Sequence, residues 1–140
     1  MNEWHEMGGR AENYAKGEQM HYSRKQKGRA AEEAAALYLG AKGYAIVERN
    51  WRCRTGEIDI VAEKGGCLIF IEVRSRSGHL TQGTPEESVD APKMDQVRRT
   101  AGVYLHINGQ GERPVSFDVI TVMLNRDLSI ASLNHICDAF

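Results

Sequence analysis

Residues 57–62, Glu-Ile-Asp-Ile-Val-Ala, and residues 68–76, Leu-Ile-Phe-Ile-Glu-Val-Arg-Ser-Arg, are two strand-forming runs rich in Ile and Val, with Glu63-Lys64-Gly65-Gly66 between them. Two glycines at that point make a tight hairpin connection. The rest of the chain has to be laid around this hairpin. Before it, the run from Gly28 through Leu39 is rich in strong helix formers, Gly43 supplies a stop, and Tyr44–Trp51 reads as a short strand. After it, polar residues 77–84 form a loop able to border a cleft. Asp90 caps a second helix with Pro92 in its first turn, which runs to about His106 with Met94, Val97, Ala101 and Leu105 on one face. Asn108, Gly109 and Gly111 end that helix. Two more strands, Val115–Leu124 and Leu128–Leu133, are separated by the turn residues Asn125-Arg126-Asp127. The order is α-β-β-β-α-β-β.

Residues 1–22 carry no periodicity and are interrupted by Gly8, Gly9 and Gly17, so they read as a poorly ordered N-terminal extension to a single domain spanning 23–140. A chain of 140 residues, 41% hydrophobic and 26% charged, can bury one core without staples. No apolar run approaches the roughly 18 residues of a membrane span, and no secretion leader opens the sequence. The expectation is a cytoplasmic protein with no membrane partner. Cys53, Cys67 and Cys137 fit neither a disulfide framework nor a CxxC motif and read as reduced thiols. The net charge of −1 does not announce a nucleic-acid binder. Cations are nevertheless clustered, as Arg24, Lys25, Lys27 and Arg29, and again as Arg49, Arg52 and Arg54; the bland alternative is a solvated face.

Strand alternation puts Glu57, Asp59 and Val61 on one face of the second strand, and Leu68, Phe70, Glu72 and Arg74 on one face of the third. With a two-residue loop at Gly65-Gly66, Asp59 stands directly across from Glu72. A four-residue loop makes them diagonal neighbours, roughly 7 Å apart. A three-residue loop puts them on opposite faces. Two acids in the middle of adjacent apolar strands need a cation, a shared proton or basic partners. One solution is Mg²⁺, which takes carboxylate oxygens together with water and substrate phosphate. The bland alternative is a pair of acids salt-bridged to Arg52, Arg54 or Arg76. His5, His21, His79, His106 and His135 form no close-spaced metal pattern and are assigned no ligand role. No Gly-rich phosphate loop is present, which disfavours nucleotide hydrolysis. Trp51 and Tyr44 read as packing residues rather than base-stacking platforms.

Gly56-Glu57-Ile58-Asp59 followed by Phe70-Ile71-Glu72-Val73-Arg74 resembles the (D/E)-x(n)-(D/E)-x-K signature of the PD-(D/E)XK nuclease superfamily. The chain from about Gly28 to Phe140 is more closely similar to the YraN-like family of uncharacterised bacterial proteins, related in pattern to archaeal Holliday junction resolvases. Gly28-Arg29, Glu32, Tyr38-Leu39, Arg49-Asn50, Lys93, Tyr104-Leu105, Phe117-Asp118-Val119-Ile120 and Asp138-Ala139-Phe140 carry that likeness.

The resemblance implies an α/β, restriction-endonuclease-like core, a central mixed sheet flanked by helices. It also implies a Mg²⁺- or Mn²⁺-dependent endonuclease acting on DNA phosphodiesters, with branched or structured DNA as a candidate substrate and a homodimer by analogy. Asp59, Glu72 and the main-chain carbonyl of Val73 match the metal ligands. Glu32 matches the helix acid that assists metal or water, although spacing does not exclude Glu33. Glu57 belongs to the family pattern without an assigned role. Arg74 stands where most of the superfamily has Lys; it can stabilise charge at a phosphate but stays protonated and cannot act as a base. Arg29, Arg76 and Lys93 are the candidate nucleic-acid contacts, with a nonspecific surface lysine the favoured reading of Lys93. A second functional reading stays open, a nucleic-acid-binding or assembly protein that keeps the nuclease fold without cleaving.

Overall fold

The structure, a computed structural model, describes residues 2–5, 21–77 and 90–140. Its elements are β1 (Asn2–His5), α1 (Arg24–Ala41), β2 (Ala45–Cys53), β3 (Gly56–Lys64), β4 (Cys67–Ser77), α2 (Ala91–Ile107), β5 (Val115–Leu124) and β6 (Ile130–Ile136). They build one mixed sheet in the order β1-β6-β5-β4-β3-β2. β4 and β5 are parallel, joined through α2, and the other neighbours are antiparallel.

Alternation along β4 divides the core. Ile69 and Ile71 face α1, which presents Ala31, Ala34, Ala35, Tyr38 and Leu39. Leu68 and Phe70 face α2 with its Ala101 and Tyr104, and Trp51 and Phe117 pack against this second cluster. Burial on both faces explains why 68–73 is nearly continuous in apolar residues. Trp51 meets Tyr104 edge-on with ring centroids 5.2 Å apart, so it packs as the sequence suggests.

The hairpin between β3 and β4 closes in two residues. Gly65 and Gly66 hold φ of 59° and 79°, and Lys64 pairs with Cys67. Consecutive positive φ values are the signature of a type I′ turn, which glycine adopts without steric cost.

Several boundaries differ from the sequence expectation, and two of them have a local cause. α1 starts at Arg24 because Ser23 and Gln26 form a reciprocal capping box, with Gln26 N–H donating to Ser23 Oγ at 3.1 Å and Ser23 N–H to Gln26 Oε1 at 2.8 Å. β6 starts at Ile130 because the turn before it runs longer. Leu128 there has φ of 70°, Ser129 N–H donates to Asp127 Oδ1, and Asn125 N–H donates to the Ser129 carbonyl.

Asn2–His5 adds an edge strand beside β6. The rest of the expected N-terminal extension up to residue 20, and the expected loop beyond Ser77 with His79, lie outside the described residues. No helix among the described residues is long and apolar enough to cross a membrane.

Candidate active site

β3 and β4 run as a regular ladder from Lys64↔Cys67 to Ile60↔Ile71. At the next position, Asp59, a side chain replaces the main chain: Val73 N–H donates to Asp59 Oδ2 at 2.8 Å. Ile60 packs in the core under α1, whereas Ile58 packs in the core under α2. In a regular strand these two would share a face, so the alternation slips at Asp59. Asn50 lies opposite this slip, between the pairs Arg49↔Ile60 and Trp51↔Ile58, and has φ of 55°, a left-handed conformation that Asn tolerates better than most residues. The expectation that Asp59 and Val61 share a face is corrected here. Val61 goes under α2, and Asp59 opens into a cavity of about 460 Å³ with Glu32 and Glu57.

Lys25, Arg29 and Arg52 also line that cavity, as does Val73. Glu72 borders an adjoining cavity of about 510 Å³ that shares Val73. The two acids therefore flank Val73. Burial pushes the Asp59 carboxyl up to about 7, and the charge of Glu72 adds to the rise. The Val73 N–H opposes it, while Glu32 and Glu57 contribute further in the upward direction. Burial likewise raises Glu72, with Lys93 and Arg74 pulling the other way. A carboxyl held near neutrality by burial among other carboxylates is the electrostatic pattern expected of a cation site.

Of the two adjacent helix acids, Glu32 lines the Asp59 cavity. Its side chain is 13% exposed, and its Oε1 accepts from Asn50 Nδ2 at 2.6 Å. Glu33 is 62% exposed and pairs with Arg49 on the outside at 3.2 Å. Arg52 Nε lies 3.2 Å from Glu57 Oε2.

Lys93, a candidate for nucleic-acid contact, comes off α2 to put Nζ 3.4 Å from Glu72 Oε2, so it belongs to the acid cluster itself. Arg29 borders the Asp59 cavity and Arg76 the Glu72 cavity. Arg74 Nε is buried with no hydrogen-bond partner among the described residues.

Sequence reasoning assigned no role to Asn50, although the Arg49-Asn50 pair is part of the family likeness. It also missed a buried chain under α1. Tyr38 Oη lies 2.9 Å from His135 Nδ1, His135 Nε2 lies 2.7 Å from Asp118 Oδ2, and Ser116 Oγ donates to Asp118 Oδ1 at 2.8 Å. Asp118, His135 and Cys137 bring their polar atoms within 4.8 Å of one another. No spacing rule links residues 38, 118 and 135, so no local signal could have found the chain.

The model of a family described as "Uncharacterised protein family UPF0102" matches residues 31–122. A UPF0102 protein of Moorella thermoacetica is 47% identical over 121 residues, covering 86% of this chain and 100% of the relative. A UPF0102 protein of Pelotomaculum thermopropionicum is 42% identical over 118 residues, covering 84% of this chain and 98% of the relative. One of Symbiobacterium thermophilum is 47% identical over 95 residues, covering 68% of this chain and 80% of the relative.

Proposed function

The chain belongs to the uncharacterised protein family UPF0102, and from that premise we propose that it is a Mg²⁺- or Mn²⁺-dependent endonuclease of the restriction-endonuclease-like, PD-(D/E)XK type, akin to archaeal junction resolvases and hydrolysing DNA phosphodiester bonds. The observation that carries the reading is the grouping of Glu32, Glu57, Asp59 and Glu72 where β3 and β4 part, with Asp59 raised to about 7. The donor set is all oxygen, which fits a hard divalent cation. Asp59, Glu72 and the Val73 carbonyl would hold the ion, with Glu32 assisting.

A bound ion supplies Lewis acidity toward a phosphodiester oxygen and toward water. The chain's own residues do the rest. Val73 N–H fixes the direction of the Asp59 carboxylate. Lys93 favours the ionised form of Glu72. Asn50 holds Glu32 by Oε1, which leaves Oε2 to orient water or accept its proton. Arg74, always protonated, donates to phosphate oxygens as negative charge builds on them. Branched or otherwise structured DNA is the proposed substrate, and a two-fold dimer would present two such sites to a four-way junction.

One feature favours a second reading, a nucleic-acid-binding or assembly protein that does not cleave. Arg74 occupies the position of the superfamily's lysine and cannot move a proton. Labelled single-stranded, duplex, flap and four-way-junction DNA, incubated with Mg²⁺ or Mn²⁺, separates the two. Cleavage by the wild type that is lost in Asp59→Ala and in Glu72→Ala is the expected result. If no DNA is cut with either metal while DNA is still bound, and binding survives or tightens in both variants, the nuclease reading falls and the binding protein stands.

A further inference from the structure

We propose that the cavity bordered by Arg24, Lys27, Arg74, Ser75, Arg76 and Ser77 binds an internal phosphate of the nucleic acid strand, the one adjoining the phosphate cleaved at the acid cluster. The proposal rests on the nuclease reading and adds to it the direction in which the strand leaves the site.

Four cations border this cavity of about 510 Å³, and the acid bordering it, Glu72, is engaged by Lys93 from α2. Two come from the first turn of α1 and two from the end of β4, so the chain brings them together from segments about fifty residues apart. Nothing local requires that arrangement. The first turn of α1 holds no acid, and cations there sit at the positive end of the helix macrodipole, where they oppose helix stability.

Arg74 and Arg76 are crowded at the other wall. Burial and the neighbouring Arg74 charge both push the Arg76 guanidinium down. Arg74 Nε is buried without a partner among the described residues, although guanidinium donors that leave water normally find an acceptor. Lys27 Nζ reaches Ser77 Oγ at 3.3 Å across the cavity, which shows that α1 and β4 span it closely enough for both to contact one small group. A tetrahedral anion supplies what each feature lacks: negative charge for the cations, an acceptor for Arg74 Nε, whose guanidinium has further N–H donors for the phosphate being cleaved, and a counterion for the start of α1.

The position of the cavity narrows the anion to a phosphate within a strand. Val73 lies in the walls of both this cavity and the one holding Glu32, Glu57 and Asp59. Phosphates recur along a polynucleotide at a regular spacing. A strand presenting one phosphate to the acids therefore carries its neighbour over Val73 toward Arg74 and Arg76.

The test is fluorescence anisotropy with a short labelled duplex, without divalent metal so that nothing is cut, across a range of salt concentrations. The full chain is compared with Lys27→Ala/Arg76→Ala and with Lys42→Ala, which removes one charge at the far end of α1. The double variant should bind about tenfold more weakly or worse, with the slope of log affinity against log salt reduced by roughly 0.9, the value for one phosphate contact. Lys42→Ala should change neither quantity. Thermal denaturation checks the fold, and Lys27→Ala should not lower the midpoint, because it removes a cation from the positive end of a helix.

Wild-type binding with an unchanged slope in the double variant overturns the pocket and leaves the nuclease reading standing. A double variant that loses only a preference for 5′-phosphorylated over unphosphorylated ends also overturns it, because the cavity then holds a chain end. Absence of both DNA binding and cleavage in the wild type removes the nuclease reading itself.

Discussion

Asp59 and Asp118 both lie on inner strands of the same sheet, yet their surroundings are built on opposite principles. Asp118 is 2% exposed and has a partner for each oxygen. Ser116 Oγ and the Asp138 N–H donate to Oδ1, and the His135 imidazole faces Oδ2 at 2.7 Å. The other ring nitrogen, Nδ1, lies 2.9 Å from Tyr38 Oη, so both nitrogens of the imidazole have a buried partner. Asp59 accepts the Val73 N–H and is raised by burial and by the charges of Glu72, Glu32 and Glu57, although Lys25, Arg29 and Arg52 line the same cavity. A carboxylate retained for the fold finds its partners inside the fold. One raised by burial and by neighbouring carboxylates has the electrostatics of a functional-site candidate. The comparison is between a closed polar network and an open one, and each can be broken separately.

The largest effect is expected at the closed network. His135→Ala removes the imidazole from a carboxylate that remains buried, and breaking a buried pair on one side costs about 3–5 kcal/mol. Urea denaturation should show that loss without a change in the slope of stability on denaturant. A loss below about 1 kcal/mol would mean that Asp118 is not held as the geometry implies.

At the open network the sign reverses. The Asp59 carboxyl has an ordinary value of 3.8 and is raised to about 7 in the fold. The native state therefore holds the proton more tightly than the unfolded chain. The stabilisation this brings is fully present below about pH 4 and is lost as pH rises through 7. Asn mimics the protonated acid at every pH, and its side-chain carbonyl can still accept the Val73 N–H. Asp59→Asn should therefore stabilise the protein at pH 8 by about 1–3 kcal/mol and do little at pH 4, because raising a carboxyl by one pH unit costs the ionised fold about 1.4 kcal/mol. A gain equal at both pH values would sink the electrostatic explanation. Mn²⁺ should act on the same raised carboxyl: at about ten times its dissociation constant it adds about 1.4 kcal/mol to the wild type at pH 8, and this is lost in Asp59→Asn.

Sequence carried more of the open network than of the closed one, and the reason is range. Asp59 and Glu72 sit on consecutive strands of one hairpin, so alternation and loop length were enough to bring them near each other. Residue counting could not choose the loop; the left-handed backbone at Gly65 and Gly66 does. The pattern also missed the slip at Asp59, opposite the left-handed Asn50 on a different strand. Lys93 stands twenty-one positions after Glu72, and only the packing of α2 brings the two together. Tyr38, His135 and Asp118 come from α1, β6 and β5, which meet only when the sheet is assembled. Ser23 was the opposite case: its capping box with Gln26 was local and readable, and the helix was nonetheless expected four residues late.

The smallest expected effect sharpens the border of the open network, at the adjacent acids Glu32 and Glu33. Glu32 is 13% exposed, held by Asn50, and its charge contributes to the rise of Asp59 behind burial and Glu72. Glu33 is 62% exposed and paired with Arg49 in solvent, where such pairs are worth about 0–1 kcal/mol. Glu32→Gln keeps an acceptor for Asn50 and removes the charge, so the pH at which Asp59 loses its proton should move down. Glu33→Gln should leave that pH where it is, because solvent screens its charge. The readout is the midpoint of the pH dependence of the stability difference between each variant and its Asp59→Asn counterpart. An equal shift from both substitutions would make Glu32 an ordinary surface acid and reduce the network to Glu57, Asp59 and Glu72.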